Sequence, residues 1–188
     1  MRNLKTIALG LVLALGTTVS AQTGKKVDVA KSNIHWVGKK FSGQHEGTVN
    51  LQEGTLMFKG DKLVGGAFTV DMNSLTTTDL EAGKGKEKLD GHLKDDDFFG
   101  TEKNPTSKLV IKSIGTKDKK TYSVTADLTI KGKTNPIQFE MMVDGNKATT
   151  NLKIDRTKYD IKYGSTLAGA VADKAISDEF ELNVVLVF

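Results

Sequence analysis

The sequence predicts an all-β protein, an antiparallel barrel with one short helical segment set between its strands. Three observations predict it. From Tyr122 to Lys131, apolar Tyr122, Val124, Ala126, Leu128 and Ile130 alternate without a break with polar Ser123, Thr125, Asp127, Thr129 and Lys131, which gives a strand with one apolar and one wet face. The same alternation recurs in Thr48–Gln52, Ala67–Asn73, Ile137–Met141 and Glu179–Val184. Short glycine-bearing turns join most of these segments, and a meander of hairpins removes its exposed edges most simply by closing on itself.

In chain order, Ile34–Val37 is the first strand candidate, followed by Thr48–Gln52 and Thr55–Lys59, which Glu53-Gly54 separates as a turn. Lys59-Gly60-Asp61 turns the chain into Ala67–Asn73. The irregular stretch Ser74–Thr106 then holds the helix: Thr78-Asp79-Leu80-Glu81 fits a capping box, Leu89 and Leu93 share a face, and Gly83, Gly85 and Gly91 keep it short. Lys108–Lys112 and the long Tyr122–Lys131 strand follow. Lys131-Gly132-Lys133 leads to Ile137–Met141, and Asp144-Gly145-Asn146 to Thr150–Asp155. Ile161–Ser177, with its small-residue run Leu167–Ala172, reads as a loop or a helical turn or two before the last strand, Phe180–Phe188. Pro105 and Pro136 each read as the entry to a strand, where a missing N–H does little harm.

The chain has 188 residues and opens with Arg2, Lys5, an apolar run from Ile7 to Leu15 and the small-residue sequence Val19-Ser20-Ala21. This reads as a secretory signal peptide over 1–21, too short to span a membrane, which leaves 22–188 as one barrel domain. There is no cysteine, hence no disulfide, no thiol chemistry and no site for an acylated lipoprotein anchor. Without Arg2 and Lys5 the net charge of +4 falls to about +2, too even to argue for nucleic acid or an anionic membrane. The expectation is an exported protein with no stable membrane anchor.

Motifs for catalysis are missing. Gly132-Lys133-Thr134 lacks the glycine a phosphate-binding loop needs five positions earlier, where Asp127 stands, and reads as a hairpin turn. Gly164-Ser165-Thr166 lacks the second glycine of a nucleophile elbow. His35, His45 and His92 have no metal-ligand spacing, and Asp95-Asp96-Asp97 lacks a calcium loop around it. Accordingly His45 and His92 read as hydrogen-bonded structural residues, the acidic run as a solvated turn, and Trp36 as a large anchor near one barrel end. No metal and no cofactor are expected.

Four segments together resemble the YceI-like proteins, exported lipocalin-like barrels of eight strands that bind polyisoprenoids and related long-chain lipids. They are Asp90-Gly91-His92-Leu93-Lys94-Asp95-Asp96-Asp97-Phe98-Phe99, Asn104-Pro105-Thr106 ahead of Lys108–Ser113, Tyr122 to Thr134, and Ile154-Asp155-Arg156-Thr157-Lys158-Tyr159-Asp160-Ile161. Trp36–Lys40 with Gly43–Gly47 is similar to one branch of that family. Leu89, Asp95, Asn104, Ala126 and Asp160 depart from its pattern, the last two standing where glycine is common.

The resemblance implies sequestration of a long-chain amphipathic lipid in the periplasm, without turnover. Such a barrel is either filled by its own side chains, acting then through its outer surface, or holds one ligand, and the sequence leaves both open. Candidate tail contacts on the apolar phase are Val49, Leu51, Phe58, Phe68, Val70, Met72, Leu109, Ile111, Val124, Leu128, Ile130, Phe139, Met141, Leu152, Ile154, Leu182 and Val184. For a polar head the matched motif residues are His92, Arg156 and Tyr159, with Arg156 alternatively a structural clamp on a loop. Phe98 and Phe99 close one barrel end or touch the tail. A homodimer is possible.

Overall fold

A computed structural model describes residues 21–165, 169 and 175–188. The signal-peptide reading of 1–21, Ala21 apart, and most of the small-residue run Leu167–Ala172 lie outside the described residues. Among the described residues the strands are β1 (Gln22–Lys26), β2 (Asn33–Lys40), β3 (Gly43–Lys59), β4 (Lys62–Thr77), β5 (Thr106–Thr116), β6 (Thr121–Ile130), β7 (Lys133–Asp144), β8 (Lys147–Asp155) and β9 (Ile176–Val187), with one α-helix, α1 (Lys86–Lys94). Short 3-10 helices cover Val29–Lys31 and Arg156–Tyr159.

All pairings are antiparallel, and the order β3-β2-β9-β8-β7-β6-β5-β4 closes by β4 pairing with β3. This is an eight-stranded barrel, as the alternation predicts, with β1 as a ninth strand laid on the second half of β3. Every residue of β1 is exposed. No alternation marks it, so sequence reasoning misses it.

Two expected elements merge. Thr48–Gln52 and Thr55–Lys59 belong to the single strand β3, whose register with β4 shifts between Leu51 and Glu53. Gly54 is needed here for close packing and not for a turn: a Cβ there would stand 2.7 Å from the Phe68 ring. Three turns form as expected, at Gly60-Asp61, Lys131-Gly132 and Gly145-Asn146.

The helix begins later than the capping box suggests, at Lys86, behind Gly85 at φ 103°, a left-handed conformation that suits glycine. Thr78 and Glu81 do not cap it, because Asp79 accepts hydrogen bonds from His45 (2.8 Å) and the Glu46 amide (3.1 Å) instead. Gly91 lies inside the helix and does not end it. Asp90 fastens α1 to the end of β4, accepting from the Thr77 amide at 2.6 Å and the Thr76 hydroxyl at 2.8 Å.

Pro136 stands within β7 and not at its entry. It is tolerated because β7 pairs with β8 only over Met141–Asp144, leaving Lys133–Glu140 unpaired on that side. Thr150 Oγ1 donates to the Glu140 carbonyl where the two strands part, and Asn135 Nδ2 donates to the Lys158 carbonyl near the other end.

Candidate functional site

The inward residues are not spent evenly along the barrel. At the end carrying the β3–β4, β5–β6 and β7–β8 hairpins, Leu56, Phe58, Leu63, Val124 and Ala126 pack tightly, all at most 4 % exposed. Phe58 faces Phe188 at 5.5 Å between ring centroids, under the ammonium of Lys25. These residues form a floor.

Above the floor lies a cavity of about 370 Å³ that opens toward α1, within the size range of small-molecule sites. Of the tail candidates, Val49, Leu51, Phe68, Val70, Met72, Leu109, Leu128, Ile130, Phe139, Met141, Leu152, Leu182 and Val184 line it. Phe58, Ile111, Val124 and Ile154 do not; they are buried in the packed core. Sequence reasoning missed Ile34, Leu75, Ile176, Phe180 and Leu186, which also line it. Ile34, Phe180 and Leu186 were available from the phase of their strands, whereas Leu75 and Ile176 stand at irregular edges of their elements.

An aromatic collar surrounds the mouth. His92 stands 4.5 Å from the Tyr163 ring and 5.4 Å from Phe98, and Phe99 meets Phe180 edge-on at 6.1 Å. His45, Leu89, His92 and Tyr163 line both the cavity and a shallower outer groove that runs past Glu87, Lys88 and Asp95. Trp36 lies deeper in the wall, 8 % exposed, with its ring against Gly47. A Cβ on Gly47 would stand 2.7 Å from that ring and 2.0 Å from the Thr76 carbonyl oxygen, so only glycine fits.

The three head-group candidates are placed differently. Arg156 touches the cavity but is 2 % exposed, and its guanidinium is spent on the backbone. Nε donates to Ser177 at 2.9 Å, Nη1 to Ile161 and Tyr163 at 2.8 Å each, and Nη2 to Ile176 at 3.0 Å, with Asp178 3.5 Å away. This is the clamp geometry. Tyr159 is 1 % exposed and outside the cavity lining, and burial, reinforced by the Asp155 charge, pushes its hydroxyl up to about 12. His92 alone of the three reaches the mouth with a polar atom, Nε2, that has no partner among the described residues.

Asp155 opens the 3-10 helix that carries Arg156 by accepting from the Thr157 amide at 3.0 Å. Asp160 ends it at φ 65°, a left-handed conformation that explains why glycine is common at this place in the similar motif. Ligand atoms of His92, Asp95 and Asp97 lie within 4.8 Å of one another, a spacing that can hold a cation, but both acids are exposed. No other such group occurs among the described residues.

The profile of the YceI-like domain family matches residues 26–188. Among curated proteins, a UPF0312 protein of Shewanella denitrificans is 31% identical over 91 residues, covering 48% of this chain and 45% of that one. A UPF0312 protein of Staphylococcus aureus is 39% identical over 92 residues, covering 43% and 51%. The chain thus spans about half the length of the curated relatives it matches. Among solved structures, Burkholderia cenocepacia BcnA superposes with a TM-score of 0.70 at 22% identity, over 86% of this chain and 99% of that one. A polyisoprenoid binding domain from Saccharophagus degradans, implicated in plant cell wall breakdown, superposes with a TM-score of 0.56 at 16% identity, over 86% and 95%. At these identities the structural likeness shows the fold.

Proposed function

Because the chain belongs to the YceI-like domain family, we propose that it is an exported carrier or store that holds one long-chain amphipathic lipid, a polyisoprenoid or similar, inside its barrel without turning it over. The observation that carries this reading is the apolar cavity, walled by Leu51, Phe68, Leu128, Leu152, Leu182 and their neighbours. An apolar hollow in a water-filled compartment favours a ligand that water rejects. Each buried CH₂ contributes about 0.8 kcal/mol, reduced by the ordering of a flexible chain. The tail therefore dominates affinity, and Met72 and Met141 give the wall surfaces that adapt to it. The Saccharophagus protein of similar fold is a polyisoprenoid binding domain, which supports the same ligand class. The apolar leader, with Val19-Ser20-Ala21 at its end, supports export to the periplasm.

Native mass spectrometry of the protein purified from its own host, followed by organic extraction, tests the reading. A stoichiometric long-chain lipid is expected. A bare mass that stays bare after incubation with polyprenols and quinones would sink it.

A further inference from the structure

Three polar atoms in the cavity wall have no hydrogen-bond partner among the described residues. Trp36 Nε1, Ser107 Oγ and His92 Nε2 are buried without a hydrogen-bond partner among the described residues, and all three residues line the cavity. Trp36 and Ser107 are 8 % and 6 % exposed. A donor buried unpaired is costly, and the other polar groups of this wall avoid that cost: Thr150 donates to Glu140, and Arg156 is fully engaged. Tyr159 Oη also has no partner among the described residues, but Tyr159 does not line the cavity.

The three belong to one end of the barrel. Ser107 is the second residue of β5, His92 sits on the helix that follows β4, and the Trp36 ring packs on Gly47, whose register partner is Thr77, the last residue of β4. Trp36 and Ser107 come from β2 and β5, with β3 and β4 between them, so they approach the cavity from different arcs of the wall.

We infer that Trp36, Ser107 and His92 form a polar subsite that receives a neutral oxygen of the lipid, a hydroxyl or carbonyl, at the helix-bearing end, with the hydrocarbon chain running toward the Phe58 floor. The inference rests on the lipid-binding reading and adds a head chemistry and an orientation to it. An indole nitrogen only donates, so the ligand atom opposite Trp36 is an acceptor. The acceptor is neutral because, among the described residues, no lysine or arginine with an unspent charge reaches this depth. Arg156 is saturated by carbonyls, Lys39 pairs with Glu181 at 2.7 Å, and Lys40 and Lys108 are exposed at the rim. A phosphate drawn down to Trp36 would meet no lysine or arginine with an unspent charge among the described residues, only the single imidazole of His92.

The test compares a long-chain polyprenol with the hydrocarbon of the same chain lacking the oxygen. In the unaltered protein the alcohol binds roughly tenfold tighter, since the hydrocarbon leaves the donors unpaired. In the double variant Trp36→Phe, Ser107→Ala the ratio of the two affinities falls toward one; because it is a ratio within one protein, altered packing cancels. An unchanged ratio overturns the subsite. A second readout needs no variant: the indole N–H proton resonance of Trp36, the only tryptophan, shifts downfield with the alcohol and not with the hydrocarbon, and a resonance that ignores both ligands while they bind also overturns it. If neither ligand binds, the lipid reading itself fails, which is a distinct result.

Discussion

Arg156 Nη1 donates to the carbonyl oxygen of Tyr163 at 2.8 Å, and the Tyr163 ring stands 4.5 Å from His92 at the mouth of the cavity. One buried cation thus holds the backbone of the loop that contributes Tyr163 to the collar. Replacing it removes several charge-assisted hydrogen bonds and leaves buried carbonyls unpaired. Arg156→Gln is expected to cost about 3 kcal/mol, read as a lower urea midpoint. Unchanged stability with lost lipid binding would instead make Arg156 a head-group contact.

Gly47 admits no side chain, since a Cβ would collide with the Thr76 carbonyl oxygen and the Trp36 ring. Gly47→Ala must separate β3 from β4 or displace the indole, at a cost of about 2 kcal/mol or more. Trp36 emission, the only indole signal, should move to the red as the ring loosens. A variant with native midpoint and emission would show that the contact relaxes freely.

Asp90 ties α1 to β4. Burial pushes the pKa of this carboxyl group up, but hydrogen bonds from Thr77, Thr76 and Lys86 outweigh that and hold it at about 2, below its ordinary 3.8. The folded value is depressed, so the stabilisation is fully present above pH about 4 and is lost as pH falls toward 2. Asp90→Asn should destabilise at neutral pH by about 2 kcal/mol and flatten the stability profile across that acid window. A variant whose profile between pH 4 and 2 parallels that of the unaltered protein would refute the anchor.

Val184 lies on the cavity wall, partly buried, opposite Ile34 and Thr150. A larger side chain there takes ligand space and not core space. Val184→Trp should keep the fold, checked by circular dichroism, while reducing polyprenol affinity at least about tenfold. Undiminished binding would place the ligand elsewhere.

The first two thirds of β7 have a ladder on one side only. Amide exchange over Lys133–Glu140 should therefore run faster than over Tyr122–Thr129, which is paired on both sides. Equal protection in the two segments would mean the strands close up in solution.

The strands were legible because a period of two is a local property. The alternation from Tyr122 to Ile130 assigns each residue to a face whatever the rest of the chain does, and the hairpin glycines mark their own turns. Gly54 was misread for the complementary reason: its small size answers to Phe68, a residue on another strand. β1 has no signal at all, since both its faces are wet and only the free edge of β3 makes it a strand.

The sequence by itself determined that this chain has an inside and an outside, which side chains go in, and which motif residues are too specific to be surface ornament. It did not determine that Phe58 would plug the floor while Phe68, on the same phase, would line a hollow. That difference depends on height along the barrel axis, set by the register of eight strands at once. Nor did it tell a clamp from a head-group contact. Arg156 and His92 both stand in matched motifs, but only the closed fold delivers four carbonyl oxygens to the first and leaves Nε2 of the second unpartnered. Hydrogen-bond satisfaction is a sum over neighbours brought from far along the chain, so only the tertiary structure could decide it.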